Sequence, residues 1–125
     1  LVASLIFSND DLLKKFNSIV HPYVFEDFNK WCENQQSAII FKEAAILFES
    51  DAVKDLDCVI CVTANKEIRI KRIISRDNKT VDEIARIMSK QMNQQKKETL
   101  SDYVIINDGD TSILLQIDKI LTDLK

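Results

Sequence analysis

Apolar residues recur at helical spacing near the start of the chain. Leu12, Leu13, Phe16, Ile19 and Val20 share one face, and Ser8-Asn9-Asp10-Asp11 offers a helix start. In that start Ser8 serves as cap and Asp11 as the acidic residue three positions later. His21-Pro22 interrupts the pattern, because proline disfavours helical geometry at the residue before it and suits the first turn of a new helix. A second helix then carries Val24, Phe25, Phe28, Trp31 and Cys32 inward and ends in the polar run Glu33-Asn34-Gln35-Gln36.

The period then changes. Ala38-Ile39-Ile40-Phe41, Cys58-Val59-Ile60-Cys61-Val62 and Tyr103-Val104-Ile105-Ile106 are short apolar runs that read as buried strands. Between the last two, Asn65 can cap a helix containing Ile68, Ile70, Ile73 and Ile74. Thr80-Val81-Asp82-Glu83 has the spacing of a capping box ahead of Ile84, Ile87 and Met88. Asn107-Asp108-Gly109-Asp110 closes the third strand as a turn, with Gly109 supplying a left-handed residue. Thr111 caps a final helix with Leu114, Ile117, Ile120, Leu121 and Leu124 on one face.

Buried strands alternating with helices predict an α/β fold with a parallel sheet, since parallel strands need helical crossovers. The expected organisation is one domain over residues 1–125. It comprises a helical segment over about 8–36, core strands over 38–63, helices over 65–100, and a last strand and helix over 103–125. Three strands are few for a sheet covered on both faces, so the fold is expected to be incomplete at its N-terminal side.

Charge and composition narrow the function. Seventeen Lys and Arg against 20 Asp and Glu give a net charge of -3. That balance argues against a general nucleic-acid or anionic-membrane binder, and no apolar run is long enough to span a bilayer. The chain opens on Leu1 without a recognisable secretory signal, so it reads as a piece of a longer, cytoplasmic protein. Three cysteines, an odd number, argue against a disulfide framework there. One glycine excludes both a Walker A loop and a dinucleotide fingerprint within these 125 residues.

Five groups of residues are candidates for chemistry, and each has a plain alternative. Cys58 and Cys61 form C-x-x-C but lie in a predicted strand, without the second pair a tetrahedral metal site needs, so they read as structural thiols. His21, the single histidine, either packs locally at a helix junction or contacts a ligand. Arg69, Arg72 and Arg76 share one side of a helix, either as a solvated basic face balanced by Glu67 and Asp77 or as forks for phosphate oxygens. Glu43 and Glu49 bracket the segment after the first predicted strand, where open α/β sheets gather ligands. They are either surface acids or groups for a hydroxyl, a ribose or a magnesium-bound water. Asn107-Asp108-Gly109 stands at the same kind of edge, although a turn alone would explain it.

Taken in order, these pieces resemble dephospho-coenzyme A kinase through nearly the whole chain. Asn17-Ser18-Ile19-Val20-His21-Pro22 looks like the family's N-x-(I/L)-(V/L)-H-P segment. Glu43-Ala44-Ala45-Ile46-Leu47-Phe48-Glu49 looks like its E-x-P-L-L-F-E motif, with Ala45 in place of the usual proline. Arg69 to Asp77 resembles its R-x-x-x-R-D helix leading into the lid, and Ser89-Lys90-Gln91-Met92 its A-x-Q-M segment. Ser101 to Gly109 resembles A-D-x-V-I-x-N-x-G.

The resemblance implies a P-loop kinase-type fold that transfers the γ-phosphate of ATP, with magnesium, to the ribose 3'-hydroxyl of dephospho-CoA, the last step of coenzyme A synthesis. By it, Arg72 stabilises the transferring phosphoryl group and Arg76 reaches phosphates as the lid closes. Asn107 and Gly109 lie beside the adenine, and His21, Glu43 and Glu49 on the acceptor side. The family's phosphate loop and the aspartate that activates the acceptor both precede its H-P segment, so these residues alone are expected to be inactive. A non-catalytic binding remnant of the fold, or another small-molecule P-loop kinase, are the alternatives.

Overall fold

The computed structural model describes residues 9–50 and 52–124. The chain divides into two compact units, Leu1–Ala44 and Ala45–Lys125.

In the first unit one helix, α1, runs from Asp10 to Glu33. Ser8 lies outside the described residues. The cap is Asn9, whose side-chain oxygen accepts the N–H groups of Asp11 and Leu12 at 3.0 and 3.1 Å. Pro22 lies inside α1 and does not divide it, which corrects the expectation of two helices. An interior proline removes one backbone donor and crowds the preceding turn. The apolar row Phe16, Val20, Val24, Phe28 nevertheless keeps an unbroken four-residue spacing across it, so both halves want the same helical phase. The polar run after α1 satisfies its last carbonyls. Asn34 Nδ2 donates to Lys30 O at 2.7 Å and Gln35 Nε2 to Trp31 O at 2.9 Å.

The predicted strand at residues 38–41 does not form. It has no ladder partner among the described residues, and Phe41 is 69% exposed. Strand structure comes from a hydrogen-bonded neighbour more than from the apolar run itself. The segment that follows is tied to α1 instead, with the Lys42 ammonium 4.8 Å from the Phe25 ring centre and 4.2 Å from that of Phe28.

The second unit carries the sheet. After turns over 45–50 and a short 3-10 helix at Ala52–Asp55, strand β1 spans Ile60–Thr63. Helices α2 (Lys66–Asp77), α3 (Val81–Ser89) and α4 (Gln94–Leu100) lead to β2 (Tyr103–Ile106) and then α5 (Ile113–Asp123). β1 and β2 pair in parallel, Ile60 with Tyr103 through Thr63 with Ile106. The parallel α/β reading therefore holds, with two strands among the described residues where three were expected.

The expected caps hold at two helices and shift at the last. Asn65 accepts the Glu67 N–H at 3.0 Å. Thr80 and Glu83 close a complete capping box. At α5 the cap is Ser112 rather than Thr111, because Asp108 already takes both the N–H and the hydroxyl of Thr111.

The buried apolar residues Ala52, Val59, Cys61, Ile84, Ile105 and Ile120 all belong to this unit. α4 packs on β1 and α5 on β2. Of the apolar face expected for α5, Ile120 is buried while Leu114 remains 78% exposed.

Asp102 sets the pairing of the two strands. Its Oδ2 accepts the Val59 N–H at 2.7 Å, while Val59 O accepts the N–H groups of Asp102 and Tyr103 at 2.9 and 3.1 Å. The carboxylate thus supplies a ladder bond just before the ladder begins. Replacing Asp102 by Ala strands the Val59 N–H and should destabilise the fold by about 1–3 kcal/mol. Asp102→Asn, which keeps an acceptor, should retain most of that stability. Urea unfolding of the two variants checks this, and equal losses would show that the acceptor is not what matters.

Candidate active site

The site is built where α2 passes the end of the sheet. Asn107 donates its N–H to Thr63 O at 2.7 Å, continuing the ladder one step past β2. Its carbonyl accepts from Arg72 Nη1 at 2.8 Å. Two residues singled out separately in the sequence are therefore joined directly. A neutral carbonyl orients the guanidinium without cancelling its charge and leaves most of its donors free. Arg72, exposed to solvent, is thus a directed cation able to meet an anion.

Its neighbours on α2 are placed differently. Arg76, one turn on, forms a two-pronged pair with Asp77, Nε to Oδ1 at 2.7 Å and Nη2 to Oδ2 at 2.9 Å. The guanidinium holds the Asp77 carboxyl below its usual range. To reach a phosphate, Arg76 must first leave this carboxylate. Arg69 donates to Gln94 Oε1 at 3.1 Å, and Gln94 Nε2 reaches Cys61 Sγ at 3.3 Å. Beyond Asn107, Asp108 accepts the N–H groups of Asp110 and Thr111 at 3.0 and 2.7 Å. Gly109 between them has φ +102°, a conformation other residues rarely adopt. The turn expected here is present.

Glu49 is committed to its own surroundings. Its Oε1 accepts the Met92 N–H at 2.6 Å and lies 3.1 Å from Lys97 Nζ, which also donates to Ala45 O at 2.9 Å. Burial pushes the Glu49 carboxyl up, but the N–H groups of Met92 and of Glu49 itself, with the Lys97 ammonium, outweigh it. The net pKa lies below the usual carboxylate value. This carboxylate binds the 45–50 turns to the start of α4.

His21 and Glu43 belong to the first unit. His21 stands in the middle of α1 with its ring edge-on to Phe25, centroids 6.2 Å apart. Glu43 is exposed after the Lys42 contact. The thiols of Cys58 and Cys61 are pushed up by burial, with Asp102 and Asp57 near the first and Glu98 near the second adding to it. Both thiols are therefore less acidic than an ordinary cysteine, which disfavours the thiolate that ligates metals or attacks. Among the described residues no group of three or more His, Cys, Asp or Glu could hold a metal ion. Magnesium in phosphoryl transfer is held chiefly by phosphate oxygens and water with one or two carboxylates, so it calls for no such cluster.

Three contributors escape a reading by motif. Lys97 carries no local signal. Glu98, which accepts from the Thr63 hydroxyl at 2.5 Å, carries none either. Gln116 does carry one, since it is polar and lies one helical turn before buried Ile120.

The Glu49 cluster has a pH signature. A carboxyl whose folded pKa lies below its unfolded one contributes stability above the unfolded value and loses it as pH falls through the folded value. Glu49→Gln should therefore lower the melting temperature at neutral pH and leave a shallower decline on acidification. An acid limb identical to that of the unsubstituted protein would contradict this role.

The sequence matches the family described as Dephospho-CoA kinase over residues 1–112. It is 35% identical over 118 residues to a dephospho-CoA kinase of Bacteroides fragilis, covering 94% of this chain and 58% of that protein. A dephospho-CoA kinase of Chlorobium chlorochromatii is 38% identical over 118 residues, covering 92% of this chain and 56% of the other. The chain thus spans a little over half the length of these relatives. The crystal structure of TT1252 from Thermus thermophilus superposes with a TM-score of 0.86 at 27% identity, over 99% of this chain and 65% of that one. An arginine directed from the sheet end by Asn107, in a sequence that matches one family over nine-tenths of its length, leads to one assignment: the chain belongs to the dephospho-CoA kinase family.

Proposed function

We propose that the complete natural protein carrying this chain is an ATP-dependent kinase that transfers the γ-phosphate to the ribose 3'-hydroxyl of dephospho-CoA. The observation that carries the reading furthest is Arg72, aimed by the Asn107 carbonyl and still fully charged. Phosphoryl transfer depends on positioning and on charge placed where it develops, and an oriented guanidinium supplies both. Arg72 is assigned to the transferring phosphoryl group. Arg76 joins it when it exchanges Asp77 for a phosphate.

Asn107 and Gly109 sit beside the adenine in this reading, and a Cβ at Gly109 would meet nothing within 4 Å, so the backbone there is open. His21 and Glu43 serve the acceptor side, and Glu49 contributes there through the backbone it holds. ATP and dephospho-CoA are the partners, and no nucleic acid or membrane is involved. The protein's place of work in this reading is the cytoplasm, and no helix among the described residues is long and apolar enough to cross a membrane. One glycine leaves these 125 residues without a phosphate loop, so transfer by them alone is not expected.

The test uses the complete natural protein. Phosphorylation of dephospho-CoA should far exceed that of nucleoside monophosphates; a preference for the latter would move the protein to another small-molecule kinase class. Arg72→Ala should lower turnover on the order of 10²–10³-fold with circular dichroism unchanged. Near-normal turnover would remove Arg72 from the mechanism.

A further inference from the structure

The outer edge of β2 is closed by a side chain. Ile106 pairs with Thr63 at the last position of the ladder, and Asn107 turns its N–H toward β1. In an extended chain the N–H and C=O of Ile106 therefore face away from β1, onto the edge that carries no strand among the described residues. Gln116, half-buried on α5, meets both. Its Oε1 accepts the Ile106 N–H at 2.8 Å and its Nε2 donates to Ile106 O at 3.0 Å. The same Nε2 also reaches Ser112 O at 3.2 Å, in the turn of α5 below it. A carboxamide is the one uncharged side-chain group, shared by Asn and Gln, that presents an acceptor and a donor side by side. Gln116 uses them here as a neighbouring strand would.

The next residue is the one that holds Arg72. Asn107 is fixed from one side by Thr63 O and from the preceding peptide by Gln116, and its carbonyl is what the guanidinium sees. From this we infer that Gln116 is a positioning residue for Arg72: it fixes the end of β2, and so the carbonyl that directs the arginine. The inference rests on the reading of Arg72 as the arginine of phosphoryl transfer. Without the carboxamide, Ile106 would turn to water for its hydrogen bonds. The Asn107 carbonyl would lose one of its two fixed supports, and Arg72 would be charged but poorly aimed. Misplacement of a catalytic group by about an ångström costs up to 10²-fold in rate.

Kinetics in two backgrounds test this. In the complete natural protein, Gln116→Leu should lower kcat roughly tenfold or more, with KM for dephospho-CoA little changed. Gln116→Glu should do the same while keeping the size of the side chain, because its carboxylate sets an oxygen against the Ile106 carbonyl. In an Arg72→Ala background, Gln116→Leu should lower kcat no further, since residues acting as one unit are not additive. An equal loss in both backgrounds, or normal kcat in Gln116→Leu, overturns the proposal.

A second readout does not depend on activity. Amide exchange at Asn107 should quicken in Gln116→Leu while exchange at Cys61 stays slow. An unchanged rate at Asn107 overturns the proposal as well. A protein that fails to phosphorylate dephospho-CoA before any substitution refutes the proposed function instead, and the exchange measurement then decides the role of Gln116 by itself.

Discussion

The parallel pairing of β1 with β2 is the constraint from which the second unit is organised. The two strands among the described residues would by themselves make a marginal sheet, and the ladder is reinforced at both ends by groups outside it. At its start the Asp102 carboxylate takes the Val59 N–H, and at its finish Asn107 bonds Thr63 while Gln116 occupies the outer edge at Ile106. Buried Val59, Cys61 and Ile105 lie along the same stretch. The ladder thereby delivers a single carbonyl, that of Asn107, to a defined place beside α2.

The arginines of α2 differ in what that geometry does to them. Arg72 spends a donor on a neutral oxygen and keeps its charge, whereas Arg76 shares its charge with Asp77. Equal spacing on one helix side therefore conceals unequal readiness for an anion. A similar contrast separates the carboxylates. Glu49 is occupied by a backbone donor and an ammonium, while Glu43 stands exposed. Charge type alone would have grouped each pair together.

Local rules were legible where the physics is local. The capping box at Thr80 and Glu83, the Asn65 cap and the left-handed Gly109 follow from neighbours a few residues away. Expectations failed where a distant or competing partner decides. Residues 38–41 have the composition of a strand but no ladder partner among the described residues. Thr111 has the chemistry of a cap but is taken by Asp108, and Pro22 is overruled by an apolar row that keeps its phase. Within the site, motif order found Arg72 and Asn107 but not the bond between them, because 35 positions of sequence separate the two. Gln116 showed itself only as a polar residue at a core-facing spacing.

The most direct measurement is a crystal structure of the complete natural protein with dephospho-CoA and a non-hydrolysable ATP analogue. The distance to read is that from the Arg72 guanidinium to the nearest γ-phosphate oxygen. The expected result is a hydrogen bond of about 3 Å to that oxygen, with another nitrogen of the same guanidinium still on the Asn107 carbonyl. A γ-phosphate seated with Arg72 directed elsewhere would contradict the assignment of this arginine to phosphoryl transfer.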